Sequence, residues 1–185
     1  MLRPDFIPSD PPTNAIVPLD DMRLHVRRDD NDDDEAILAA EKAAVRHLEK
    51  LTGRLMPARA AKLRLSRLPC GKSPIDLPGG HVQSIDSVSF DGASQDAADF
   101  TVAGNGPARL IPGEEWPFFT DQEKYNVEIT YTVGFAAVPE DLKAAIKLLA
   151  AHLYENREAV VIGESAITLP MAVETIAGLH RIRPR

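Results

Sequence analysis

Residues Val138–Val161, VPEDLKAAIKLLAAHLYENREAVV, form the longest strongly patterned helical stretch of the chain and decide its fold class. Pro139 suits a first helical position, where its missing N–H costs nothing, and Glu140 and Asp141 put negative charge at the positive end of the helix dipole. Leu142, Ile146, Leu149 and Leu153 recur at helical spacing with Ala145 and Ala150 beside them, while Lys143, Lys147 and Arg157 lie off that face. The result is one apolar stripe that needs a partner. β-Branched Val160, Val161 and Ile162 followed by Gly163 predict that the helix fades over residues 159–163.

The partner is found upstream. Asp29–Glu35, DDNDDDE, places six acids in seven residues. The run lacks the alternating ligands, central glycine and closing glutamate of an EF-hand. It fits a helix N-terminus instead, with Asp32 and Glu35 spaced like a capping box. The helix then runs to about Thr52 with Ile37, Ala40, Ala44, Leu48 and Leu51 on one face, and Gly53 ends it. Leu19–Val26 is a shorter amphipathic segment in which Leu19, Met22 and Val26 share a face. Before it, residues 1–18 hold five prolines and little apolar periodicity, which predicts a flexible, extended N-terminal arm.

Between the helices, residues 58–135 change texture to short alternating runs punctuated by Gly, Pro and Asp, which is β patterning. Leu63 and Leu65 alternate with Lys62 and Arg64. Val88 and Phe90 lead into Asp91-Gly92, and Phe100 and Val102 into Gly104-Asn105-Gly106, both turn signals. In Asn126–Val133, Val127, Ile129, Tyr131 and Val133 face one way and Glu128, Thr130 and Thr132 the other. The expected fold is α+β: a helical core from residues 19–57 and 136–162, an antiparallel β insertion at 58–135, and a C-terminal arm at 163–185.

Two stretches carry a family likeness. The run VPEDLKAAIKLLAAHLYENREAV resembles the C-terminal helix of head-tail connector proteins (head-completion or adaptor proteins) of tailed phages, prophages and gene transfer agents. Val17–Asp21, VPLDD, followed by the acidic run, a helix and LTGR at Leu51–Arg54, is a second match in the same order. The resemblance implies a structural protein of the head-tail junction, made in the bacterial host cytoplasm and built into a virion or phage-like particle. Implied partners are the portal protein, a tail-side stopper or neck protein, further copies of the chain in a ring of dodecameric order, and double-stranded DNA passing through the lumen without sequence-specific contact. A neck or tail-completion protein contacting the tail tube is the nearest alternative, and a small hydrolase a more distant one. The small connectors of this family are essentially all-helical, so the β insertion departs from their pattern.

Composition narrows the chemistry. With 185 residues and 44% hydrophobic content the chain can bury a real core, and its net charge of −7 argues against general nucleic-acid binding. Cys70 is the only cysteine, so no internal disulfide framework exists. No signal-peptide apolar region or run of about 18 apolar residues occurs, so neither export by that route nor membrane spanning is expected. His25, His47, His81, His152 and His180 are far apart and show no metal-ligand spacing. Cys70-Gly71-Lys72-Ser73 contains the end of a phosphate-loop motif, but Ser66 stands where its first glycine belongs. These readings lead to no enzyme, cofactor or metal.

Three groups of residues remain as candidate contact sites. In Leu110–Phe119, LIPGEEWPFF, the rings of Trp116, Phe118 and Phe119 either form an exposed docking loop toward a neighbouring or tail-side subunit or plug the end of the sheet. Near the C-terminus, Met171, Ile176, Leu179, His180, Arg181, Ile182, Arg183 and Arg185 combine an apolar helix, opened by Pro170, with a basic end. The resemblance makes these a portal-docking arm, with apolar side chains filling a groove and arginines meeting carboxylates. Asp32, Asp33 and Asp34 are the candidates for acids lining the channel and repelling DNA phosphate.

Overall fold

The computed structural model describes residues 3–11, 14–104, 107–117, 124–156 and 170–182, and the chain divides into two compact units. One is helical, formed by Pro12–Thr52 and Val138–Arg181; the other is the β unit, formed by Met1–Pro11, Gly53–Ala137 and Ile182–Arg185. The class is α+β, but the partition differs from the expected one, and residues 136–137 fall in the β unit. The N-terminal stretch expected as an arm supplies a strand, residues 53–57 belong to the β unit, and most of the expected C-terminal arm belongs to the helical unit.

In the helical unit, α1 (Leu19–Val26), α2 (Asp34–Thr52), α3 (Glu140–Glu155) and α4 (Met171–His180) pack their apolar faces together, α2 against α3 and both against α4. The expected stripe on α3 is buried at Leu142, Ala145, Ile146, Leu149 and Ala150; Leu153 is half-buried, and Tyr154 is the buried residue of the last turn. Pro139 sits one position before the helix rather than inside it, its carbonyl accepting from the Lys143 N–H at 3.0 Å. At the other end the Asn156 N–H closes on the His152 carbonyl at 3.1 Å; the expected fade at 159–163 lies outside the described residues. Val173 and Ala177, four residues apart, give α4 the buried face that holds it in this unit.

Buried on α2 among Ile37, Ala44, Val45 and Leu48 is a carboxylate, Glu41, 2% exposed. Its Oε1 accepts from the backbone N–H groups of Ile16 at 2.8 Å and Val17 at 3.2 Å. The segment leading into α1 is thereby fixed to the middle of α2, and two backbone donors that α1 does not use are satisfied.

The β unit contains two antiparallel sheets whose apolar side chains form one core. In the first, the order is β1 (Asp5–Pro8), β2 (Arg59–Leu65), β8 (Val127–Val133), β4 (Val82–Phe90) and β5 (Ala93–Gln95). In the second, β7 (Ala108–Pro112) lies between β3 (Ile75–Leu77) and β6 (Phe100–Ala103). β1 is an edge strand, the place where a strand tolerates Pro8, and Phe6 packs against the core; these two facts explain why a proline-rich stretch is ordered here.

The central strand β8 alternates as expected, with Val127, Ile129, Tyr131 and Val133 all buried. Its neighbour β4 does not, because two register shifts interrupt the pairing, between Val82 and Ser84 and between Ile85 and Ser87. Each irregularity adds a residue, so the positions opposite the buried residues of β8 are Val82, Ile85, Val88 and Phe90 instead of every second residue. The hairpin from β4 to β5 turns at Asp91 (φ 49) and Gly92 (φ 82), the left-handed pair that a two-residue hairpin requires. Tyr131 donates its hydroxyl to the Pro78 carbonyl at 3.0 Å, and burial pushes its pKa upward.

Candidate docking surfaces

Two of the six acids in Asp29–Glu35, Asp33 and Asp34, are bonded within the helical unit. Asp33 accepts the Tyr154 hydroxyl at 2.5 Å and faces the Arg28 guanidinium at 3.7 Å. Asp34 is held by Arg23 through two hydrogen bonds, which pull its pKa below the usual carboxylate range and raise that of the arginine. Of the three channel-lining candidates, only Asp32 is exposed. Asp34 joins α2 to α1, and Asp33 joins the start of α2 to α3.

The C-terminal candidates separate by position. Met171 and Leu179 are 83% and 78% exposed on the outer face of α4, with Ala172, Thr175 and Gly178 exposed alongside them. Ile176 is half-buried and Arg181 exposed. His180 is engaged within the unit: its Nε2 lies 2.6 Å from Asp141 Oδ2, and this contact is the main cause of the lowered Asp141 pKa. Ile182 is half-buried in the β unit, and Arg183 and Arg185 lie outside the described residues.

Trp116 is not an exposed anchor. It is 7% exposed and belongs to the β core. Its ring stacks on Phe100 at 5.8 Å and meets Phe90 edge-on at 6.3 Å. The loop containing Cys70, Gly71, Lys72 and Ser73 holds it: the indole N–H donates to the Ser73 carbonyl at 2.7 Å, and the Trp116 backbone N–H to the Gly71 carbonyl at 2.9 Å. Lys72 donates to the Gly113 carbonyl at 2.6 Å, and the Gly113 N–H to the Asp99 carbonyl at 2.7 Å. The stretch that looks like part of a phosphate loop is thus a cradle for a tryptophan. Phe118 and Phe119 lie outside the described residues.

These contacts shape an open concavity of about 400 Å³, lined by Phe90, Gln95, Asp99, Phe100, Pro112, Gly113, Glu114, Glu115, Trp116 and Pro117. Sequence reasoning singled out the aromatic stretch but missed Phe90, Gln95, Asp99 and Phe100, which come from β4, β5, the turn before β6 and the start of β6. Only strand pairing brings them to it.

Among the described residues, no group of three side chains that could hold a metal ion gathers, and no helix is long and apolar enough to cross a membrane. The protein has a two-unit α+β fold. That fold is similar to chains of gene transfer agent (GTA) particles. One, from the neck of an empty GTA particle computed with C6 symmetry, superimposes with a TM-score of 0.78 at 24% identity, covering 100% of this chain and 97% of the other. Another, from the virion of a native GTA particle, gives 0.76 at 24% identity over 97% and 96%. A third, from the neck of a native GTA particle computed with C12 symmetry, gives 0.75 at 22% identity over 100% and 97%. No family model and no curated relative matches the chain.

Proposed function

We propose that this protein is a structural subunit of the neck of a phage-like particle, acting as a head-tail connector in a ring between the portal and the tail-side proteins. The observation that carries the reading is the likeness to a neck chain over the whole of this chain and 97% of the other, at a TM-score of 0.78. A likeness that includes the β unit accommodates what the all-helical connectors do not. In this reading the work is mechanical: the ring extends the DNA channel and adapts one surface to the next, and no bond is made or broken. The outer face of α4, with Met171 and Leu179, is the portal-facing surface. Its support is the exposure of two large apolar side chains on one helix.

The test is quantitative mass spectrometry of nuclease-treated, density-purified particles from producing cells, counting this chain against the major capsid protein. The expected result is about a dozen copies per particle, the number that the resemblance to head-tail connectors implies for a closed ring. A Met171→Asp/Leu179→Asp variant that folds normally should be missing from the particles. Absence of the unmodified chain from intact, DNA-filled particles overturns the neck reading; undiminished incorporation of the variant overturns the role of α4.

A further inference from the structure

The β unit treats its acids unequally. Glu128 pairs with Lys62 at 2.6 Å and Arg64 at 3.1 Å, Asp76 with Arg109 at 3.1 Å, and Asp91 with Lys124 at 3.2 Å. Asp99, Glu114 and Glu115 are all exposed on the concavity, and none has an ion pair among the described residues. They share the lining of the concavity with Phe100 and Trp116, whose rings stack with 19° between their planes. The loop bonds of Gly113 fix the rim: a Cβ at position 113 would stand 3.0 Å from the Asp99 carbonyl, so the two segments approach closely.

From this we infer that the concavity is a receptor for an arginine side chain presented by a loop of another protein chain. A guanidinium is flat enough to lie along an aromatic wall, and its fork of N–H donors suits a pair of carboxylates. An ammonium answers only the charge, and an apolar plug would leave the rim acids facing it unpaired. The polarity of the contact is thereby reversed relative to a tryptophan anchor: Trp116 does not enter a partner, and the partner enters beside Trp116. The inference rests on the neck reading only for the partner being a particle subunit; the chemistry of the concavity is independent of it.

Trp116 is the sole tryptophan, so intrinsic fluorescence of the full-length purified protein reads this site directly. The probe is the blocked peptide acetyl-Gly-Arg-Gly-Arg-Gly-amide, with a control peptide carrying citrulline, the neutral isostere, in place of each arginine. The expected result is a saturable change with the arginine peptide, weaker by about tenfold for the citrulline peptide. A Glu114→Gln/Glu115→Gln variant, substituted at exposed positions and checked for unchanged circular dichroism, should weaken arginine-peptide binding by a similar factor. Absence of a saturable change, equal responses to the two peptides, or an undiminished response in the variant overturns the proposal. So does a saturable response to calcium chloride that the variant abolishes, if the arginine peptide gives none. Because no particle is involved, the outcome is separate from the particle count that tests the neck reading.

Discussion

The helical unit and the β unit differ in what their paired acidic side chains connect. In the helical unit Asp33, Asp34, Glu41 and Asp141 reach residues distant in sequence and tie its segments together. In the β unit the paired acids lie across neighbouring strands or beside a turn, and three more are left on the rim of a concavity. The net charge of −7 is therefore not a uniform property of the surface. Four carboxylates of the helical unit join its segments, whereas three of the β unit line a concavity.

The largest test of this contrast is a cavity in the helical unit. Leu149 is 1% exposed, and Leu149→Ala should cost about 2–5 kcal/mol, because the lost methyl groups leave a hole that neighbours fill only partly. Urea unfolding followed by far-ultraviolet circular dichroism reports mainly the helices, and Trp116 fluorescence reports the β unit. The dichroism midpoint should fall further than the fluorescence midpoint; equal shifts would mean that the two units unfold as one.

A smaller effect is expected at Glu41. Glu41→Ala leaves the Ile16 and Val17 N–H groups without their acceptor and should cost about 1–3 kcal/mol, read from the same dichroism midpoint. Glu41→Gln keeps an oxygen in place and should recover most of the loss. Failure of Gln to do better than Ala would show that packing, not the two hydrogen bonds, is what the residue supplies.

The smallest effect is the response to acid. Asp34 and Asp141 in the helical unit and Glu128 in the β unit have pKa values lowered by Arg23, His180 and Lys62, respectively. Their unfolded forms, titrating near pH 4, bind protons first as the pH falls. The stabilisation they give is therefore complete above about pH 5 and lost as the pH drops through the folded values. With two such groups against one, the dichroism midpoint should decline more steeply than the fluorescence midpoint between about pH 5 and pH 2.5. An Asp34→Asn/Asp141→Asn variant should flatten the difference, and an unchanged slope would remove these carboxylates as its source.

The legible parts of the sequence were those whose pattern is local. The apolar stripe of α3 and the alternation of β8 need no information from elsewhere, and both are where the periodicity placed them. β4 was only partly legible, because its two irregularities convert an alternation into the spacing Val82, Ile85, Val88, which resembles a helix as much as a strand. β1 was read as an arm because its ordering depends on β2, more than 50 residues away, a register that no local signal carries. Glu41 did leave a trace, a carboxylate four residues from both Ile37 and Val45 on an apolar face. For Trp116, the sequence left anchor and plug equally open; burial was decided by carbonyls of Gly71 and Ser73, on a loop some 40 residues upstream.

The chain alternates between its two units, and this bears on how it is made. Neither unit is a continuous segment: the β unit takes residues 1–11 and then 53–137, and the helical unit 12–52 and then 138–181. On the ribosome, α1 and α2 emerge early but wait for α3 and α4 to cover their apolar faces. The five-stranded sheet likewise lacks its middle until β8 appears, because β2 and β4 are joined only through it. Most of the core therefore closes late in synthesis, and a nascent chain truncated before residue 127 has a complete version of neither unit.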